Sequence, residues 1–191
     1  MATKKYVYTF EEGDGKNKKL LGGKGANLRE MTQIGIPVPP GFVITTEACV
    51  EFLEKRRQQL WPELIEQIKE GIKYLEKKTG KGFGNPENPL LVSVRSGAAI
   101  SMPGMMDTIL NLGMNDEVTK GLAKLTNNER FAYDSYRRFI QLFGSIGLKV
   151  DEEKFTKAFE EIKKKYGAKL DTDLDAEALK EVCKRFLEIV R

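Results

Sequence analysis

Apolar and polar positions change rhythm about three-fifths of the way along the chain. Up to Gly113, short apolar runs alternate with glycine-rich loops and helical stretches; after Asn115 the spacing is helical throughout. Residues 6–10 alternate Tyr6, Tyr8 and Phe10 against Val7 and Thr9, which predicts a strand. Phe42-Val43-Ile44 predicts a second, and Leu90, Leu91, Val92 and Val94, opened by Pro89, a third. Leu28, Met31 and Ile34 recur at helical spacing. Between the second and third strands two helices are expected, one capped by Thr45, the other with Pro62 in its first turn and Gly80 at its end. The latter places Ile65, Ile68, Ile72 and Leu75 on the face expected to cover the sheet. The second half predicts three amphipathic helices. Residues 128–146 carry Ala132, Tyr136, Phe139, Ile140 and Phe143; residues 152–166 carry Phe155, Phe159, Ile162 and Tyr166; Asp175 caps a last helix bearing Leu179, Val182, Phe186 and Ile189. Phe139, Phe155 and Phe186 read as core. The fold class is α+β, a small α/β subdomain over residues 1–114 followed by a helical subdomain over 115–191.

Composition narrows the function. With 191 residues, 40% hydrophobic and 31% charged, the chain can bury a substantial core as one domain or two subdomains. Its 32 basic and 28 acidic residues are interspersed, so no like-charged tract suggests a nucleic-acid partner. Cys49 and Cys183 stand far apart with no histidine in the chain, which argues against a Cys/His metal site. With no signal-peptide pattern, two reduced thiols in a cytoplasmic protein are expected, and no apolar run is long enough for a membrane span.

Two segments carry candidate chemistry. The third strand ends on Arg95, whose planar fork of donors suits phosphate or carboxylate oxygens, and Ser96, Gly97, Ser101 and Gly104 follow, where backbone N–H groups can approach a ligand closely. The other segment, Gly22-Gly23-Lys24-Gly25, puts a lysine among glycines near a helix N-terminus, a position that favours anions. It is not a Walker sequence, because Gly25 stands where Ser or Thr would follow the lysine, and Leu28 replaces the third glycine of a dinucleotide fingerprint. Each segment also has a plain reading: Arg95 paired with a structural carboxylate, and Lys24 solvated on a tight turn. Met102, Met105 and Met106 fit either an adenine wall or core filling. Asp107 and Thr108 fit either a phosphate-facing or a local turn role. Arg137 and Arg138, one turn after Asp134, read as surface ion pairing.

Taken together, Gly22-Gly23-Lys24-Gly25-Ala26-Asn27-Leu28, Pro39-Pro40-Gly41-Phe42, Val92-Ser93-Val94-Arg95-Ser96-Gly97-Ala98, Ser101-Met102-Pro103-Gly104-Met105-Met106-Asp107-Thr108 and the run 130–139 resemble the N-terminal end of the pyruvate, phosphate dikinase family. The resemblance spans essentially the whole chain. Related phosphotransferases such as phosphoenolpyruvate synthase share the glycine-lysine and Arg-Ser elements. The resemblance implies the N-terminal part of an ATP-grasp nucleotide-binding domain, with Lys24 and Arg95 as triphosphate contacts. It also implies Mg2+ ligands, a phosphorylatable histidine and a pyruvate site in other parts of a larger enzyme that is a homo-oligomer. This chain would then be an inactive fragment on its own. Two other classes remain open at this point: a stand-alone nucleotide- or phosphate-binding module, and an interaction domain whose helices are the working surface.

Overall fold

A computed structural model describes residues 4–56, 59–96 and 107–191. These form two compact units, one from the chain up to Lys81, the other from Gly82–Arg95 with Asp107–Arg191. The strand pair around Arg95 thus groups with the helices that follow it.

In the first unit, β1 (Val7–Thr9) pairs antiparallel with β2 (Phe42–Ile44) in the register Val7↔Ile44, Tyr8↔Val43, Thr9↔Phe42. Two strands cannot bury a face alone. Helices α1 (Lys18–Gln33), α2 (Thr46–Val50) and α3 (Pro62–Thr79) surround them, and a π-helical turn, Glu51–Lys55, continues α2. Thr45 caps α2 by accepting from the Ala48 N–H, Pro62 opens α3, and Gly80 ends it at φ 68°. The core gathers Tyr6, Val7, Ala48, Trp61 and Leu64. Tyr6 and Trp61 meet edge to face, centroids 5.1 Å apart. The buried face of α3 is Leu64, Gly71 and Leu75, so it is rotated from the predicted one: Ile65 and Ile72 are only half-buried. The reason is Gly71, where a Cβ would come within 2.8 Å of the Phe42 ring; its absence lets α3 lie against β2. Gln67 of α3 also accepts from the N–H groups of Tyr6 and Val7 and donates to the Lys4 carbonyl, satisfying the edge of β1 that β2 leaves open.

In the second unit, β3 (Gly82–Phe83) pairs parallel with β4 (Pro89–Leu90), and β5 (Val92–Arg95) antiparallel with β6 (Thr108–Leu112). The predicted third strand is therefore two strands broken at Leu91. Four helices follow, not three: α4 (Asp116–Thr126), α5 (Glu129–Leu142) with a π-helical turn Phe143–Gly147, α6 (Glu152–Lys165) and α7 (Ala176–Val190). Asn115, Asn128, Asp151 and Asp175 cap them through side-chain oxygens. Phe155 and Phe186 are fully buried and meet edge to face at 5.1 Å. Arg137 corrects the expectation of a surface ion pair. It pairs with Asp134 at 2.8 Å but is only 7% exposed, with its guanidinium 4.6 Å from the Phe159 ring centroid. Arg138, on the same carboxylate at 3.0 Å, does lie at the surface.

Cys183 is buried in this core and donates to the Tyr133 carbonyl, whereas Cys49 is exposed. Burial pushes the Cys183 thiol up to about 12 from its ordinary 9.0. A thiol kept neutral by the fold contributes stability that is complete below the unfolded value and lost as pH rises through the folded one. Urea unfolding should therefore show stability declining from about pH 9 toward 12, less steeply in Cys183→Ala. At pH 8 a thiol reagent should modify Cys49 alone until the chain is denatured.

Candidate phosphate-binding elements

The glycine cluster lies inside α1, which begins earlier than the Leu28–Ile34 periodicity suggests. Asn17 opens the helix by accepting from the Leu20 N–H at 3.1 Å. At Gly22 the helix breaks, with φ 70° and ψ 164° in an otherwise helical run. That conformation is open almost only to glycine. It breaks the helix, so the residues after Gly22 occupy a new first turn, the place where a helix cannot bond its own N–H groups. The carbonyls of Lys19 and Leu20, just before the break, accept from the Thr46 hydroxyl at 2.5 and 3.2 Å. Gly25 brings the new turn close to β2: a Cβ there would meet Val43 at 2.8 Å.

Gly23 and Lys24 thus occupy a helix start, as the sequence reading requires, although the start is internal. Lys24 is half-buried and makes no ion pair or hydrogen bond with its side chain among the described residues. A helix start concentrates positive potential and free N–H groups, and a lysine there adds a mobile charge.

One contributor to this unit escaped the sequence reading. Arg29, next to Leu28 on α1, is only 2% exposed and has no carboxylate partner among the described residues. Its Nη1 donates to the Phe10 carbonyl at 3.3 Å, its Nη2 to the Gly13 carbonyl, and its Nε is buried without a partner among the described residues. It ties the loop after β1 to α1. Gly15 in that loop packs against the Glu30 backbone, where a Cβ would stand 3.1 Å from the amide nitrogen. No local signal marks an arginine between Leu28 and Glu30 as buried, since its partners come from a distant loop.

In the second unit, Arg95 ends β5 directly opposite Thr108 of β6. Its side chain is exposed and has no ion pair among the described residues, so no structural carboxylate claims it there. Thr108 is half-buried; Asp107 and Ser96 flank the pair and are exposed. Gly97, Ser101 and Gly104, with Met102, Met105 and Met106, lie outside the described residues. Gly22, Gly23 and Lys24 belong to the first unit, and Arg95, Asp107 and Thr108 to the second.

Two grooves of the first unit contain neither cation. One of about 890 Å³ lies between β1 and α3 and carries Glu11, Glu12, Glu63, Glu66 and Glu70 against Lys5, a charge balance that repels phosphate. The other, about 500 Å³ at the start of α1, mixes Lys4, Lys19 and Lys55 with Glu47 and Glu51.

A family profile described as "Pyruvate phosphate dikinase, AMP/ATP-binding domain" matches residues 18–61, from the start of α1 to Trp61. A pyruvate, phosphate dikinase of Entamoeba histolytica is 62% identical over 183 residues, 95% of this chain and 20% of that protein. One of Clostridium symbiosum is 52% identical over 187 residues, 98% and 21% respectively. A chloroplastic one of Mesembryanthemum crystallinum is 52% identical over 189 residues, 97% and 20%. Over nearly its whole length the chain is similar to these pyruvate, phosphate dikinases, and it spans about one fifth of the length of the relatives it matches.

Gly22→Ala tests the break directly. No atom lies within 4 Å of the added Cβ, so its whole cost is backbone strain, about 1–3 kcal/mol. The variant should lose that much stability in urea unfolding, or relieve it by forming an unbroken helix, which circular dichroism would read as added helical signal. Unchanged stability with unchanged helicity would show that Gly22 is not strained.

Proposed function

We propose that this chain is the ATP-binding portion of a pyruvate, phosphate dikinase with an ATP-grasp nucleotide-binding domain. The enzyme would convert ATP, phosphate and pyruvate into AMP, pyrophosphate and phosphoenolpyruvate. The observation that carries the reading is the helix break at Gly22, which places Lys24, unpaired among the described residues, in the first turn of the helix that restarts there. Arg95, ending β5 without a carboxylate partner among the described residues, is the second cation. In this reading both neutralise oxygens of the triphosphate, Lys24 as a point charge and Arg95 as a bidentate fork. Gly22, Gly23, Ser96, Gly97, Ser101 and Gly104 supply close backbone approach, and Asp107 and Thr108 border the Arg95 contact.

Phosphoryl transfer needs little covalent chemistry from the nucleotide site. Positioning and charge neutralisation dominate. The chain has no histidine, so the phosphoryl acceptor is assigned to another part of the enzyme, together with the pyruvate site. Among the described residues no group of three or more Asp, Glu or Cys side chains can hold a metal ion. As the family resemblance implies, the Mg2+ that accompanies ATP is assigned protein ligands elsewhere in the enzyme. No described helix is long and apolar enough to cross a membrane. We place the protein in the cytoplasm as a homo-oligomer, the chloroplastic relatives notwithstanding.

In the complete enzyme, Arg95→Ala should slow ATP-dependent phosphorylation about a hundredfold or more, equivalent to about 2–4 kcal/mol of lost transition-state stabilisation. The partial reaction with pyruvate should stay near normal. Lys24→Ala should act in the same direction and more mildly, since water or metal can replace part of an ammonium. Normal phosphorylation by ATP in both variants would overturn the assignment.

A further inference from the structure

The pairing of β5 with β6 contains an irregularity close to Arg95. Its paired positions are Val92↔Leu112, Val94↔Ile109 and Arg95↔Thr108. Val92 and Val94 are two residues apart, whereas Ile109 and Leu112 are three apart. One extra residue therefore sits in β6, and Leu110 and Asn111 together oppose Ser93. Side chains alternate along a strand, so in a regular ladder Ile109 and Leu112 would point to opposite faces. The bulge restores them to one face, with Val92 and Val94, and leaves Arg95 and Thr108 together on the other.

Asn111 supplies the conformation that the bulge needs. Its φ is 59°, in the left-handed region that asparagine tolerates and β-branched residues resist. Its Nδ2 donates to the Ser135 carbonyl of α5 at 3.3 Å, which anchors the bulge to a helix. Its own carbonyl accepts from the N–H of Met114, a residue 5% exposed in the core. The backbone torsion, the anchor and the turn into the core thus all converge on one residue.

We propose that Asn111 is the positioning residue for Arg95, fixing the strand register that pairs Arg95 with Thr108 and so the direction in which the guanidinium leaves the sheet. Bulges beside functional sites re-aim side chains in this way, and a one-residue slip reverses every face of a strand. The inference rests on the reading of Arg95 as a phosphate contact. It goes beyond it in assigning the aim of that contact to a residue that does not touch ATP.

The test is a double-mutant cycle in the complete enzyme, reading the KM for ATP in ATP-dependent phosphorylation, with the pyruvate partial reaction as the control for folding. Asn111→Val, which resists positive φ and lacks the carboxamide, should raise that KM about tenfold. Asn111→Gly, which keeps the torsion, should recover most of the loss. In the Arg95→Ala background, Asn111→Val should add less than about twofold, because a residue that acts only through Arg95 has nothing left to position. Should Asn111→Val fail to fold, Asn111→Ala carries the same comparison. Additive effects in the cycle, or a loss in Asn111→Gly equal to that in Asn111→Val, would overturn the proposal. An unchanged KM and rate in Arg95→Ala alone would instead overturn the phosphate reading of Arg95, and this inference with it.

Discussion

A helix that ran unbroken from Lys18 to Gln33 would tie the N–H groups of Gly23 and Lys24 into its own ladder and present an ordinary solvated lysine. The torsion at Gly22 prevents that. At φ 70° and ψ 164° the chain restarts its helix one residue before Lys24, and the donors of a first turn stand beside a cation. Around this break the unit is well supported. Thr46 takes up the carbonyls on one side, Val43 of β2 packs against Gly25 on the other, and Arg29 holds the preceding loop to the same helix. A local backbone irregularity costs of order 1–3 kcal/mol and persists only where its surroundings over-determine it. Three independent contacts do so here.

The second unit solves a different problem. Arg95 stands on a two-stranded ribbon, which is marginal unless something rigid backs it. The helices supply that backing: α5 packs on β6, and Phe155 and Phe186 lock α6 to α7 in a fully buried pair. The hydrogen bond from Asn111 to Ser135 joins ribbon to helix. Packing energy from apolar side chains far from Arg95 thereby holds an exposed, charged strand end in a defined register. The helical half works as a frame: Phe155 and Phe186 have the core role that their spacing indicates, Phe139 packs half-buried against their cluster, and Phe143 and Tyr166 of the same stripes lie exposed.

What was legible in the sequence was local. Caps and stops are written by single residues acting on their own backbone, so Thr45, Asp175 and Gly80 marked real helix ends. The glycine-lysine and Arg-Ser segments could likewise be singled out, because the residue types themselves carry the chemistry. What stayed hidden depends on distant partners. Asn111 interrupts the apolar run of β6 and disguises a strand, since the bulge destroys the period-two signal. Gly121 weakens the helical signal of α4, yet lets the Pro86 carbonyl approach where a Cβ would collide. The face of α3 turned because Gly71 accommodates Phe42, and Arg29 is buried because a loop folds back onto it. Each miss is a tertiary contact overriding a local pattern.

The central claim, that Gly23–Gly25 and Arg95 are where this chain meets the phosphates of ATP, is most directly tested by following backbone amide and arginine Nε–H NMR resonances of the 191-residue chain during titration with ATP. Weak but saturable shifts are expected at Gly23, Lys24, Gly25 and the Arg95 side chain, diminished by salt, while the acidic groove between β1 and α3 stays silent. Shifts concentrated in that groove, or saturation that leaves Gly23–Gly25 and Arg95 unmoved, would contradict it.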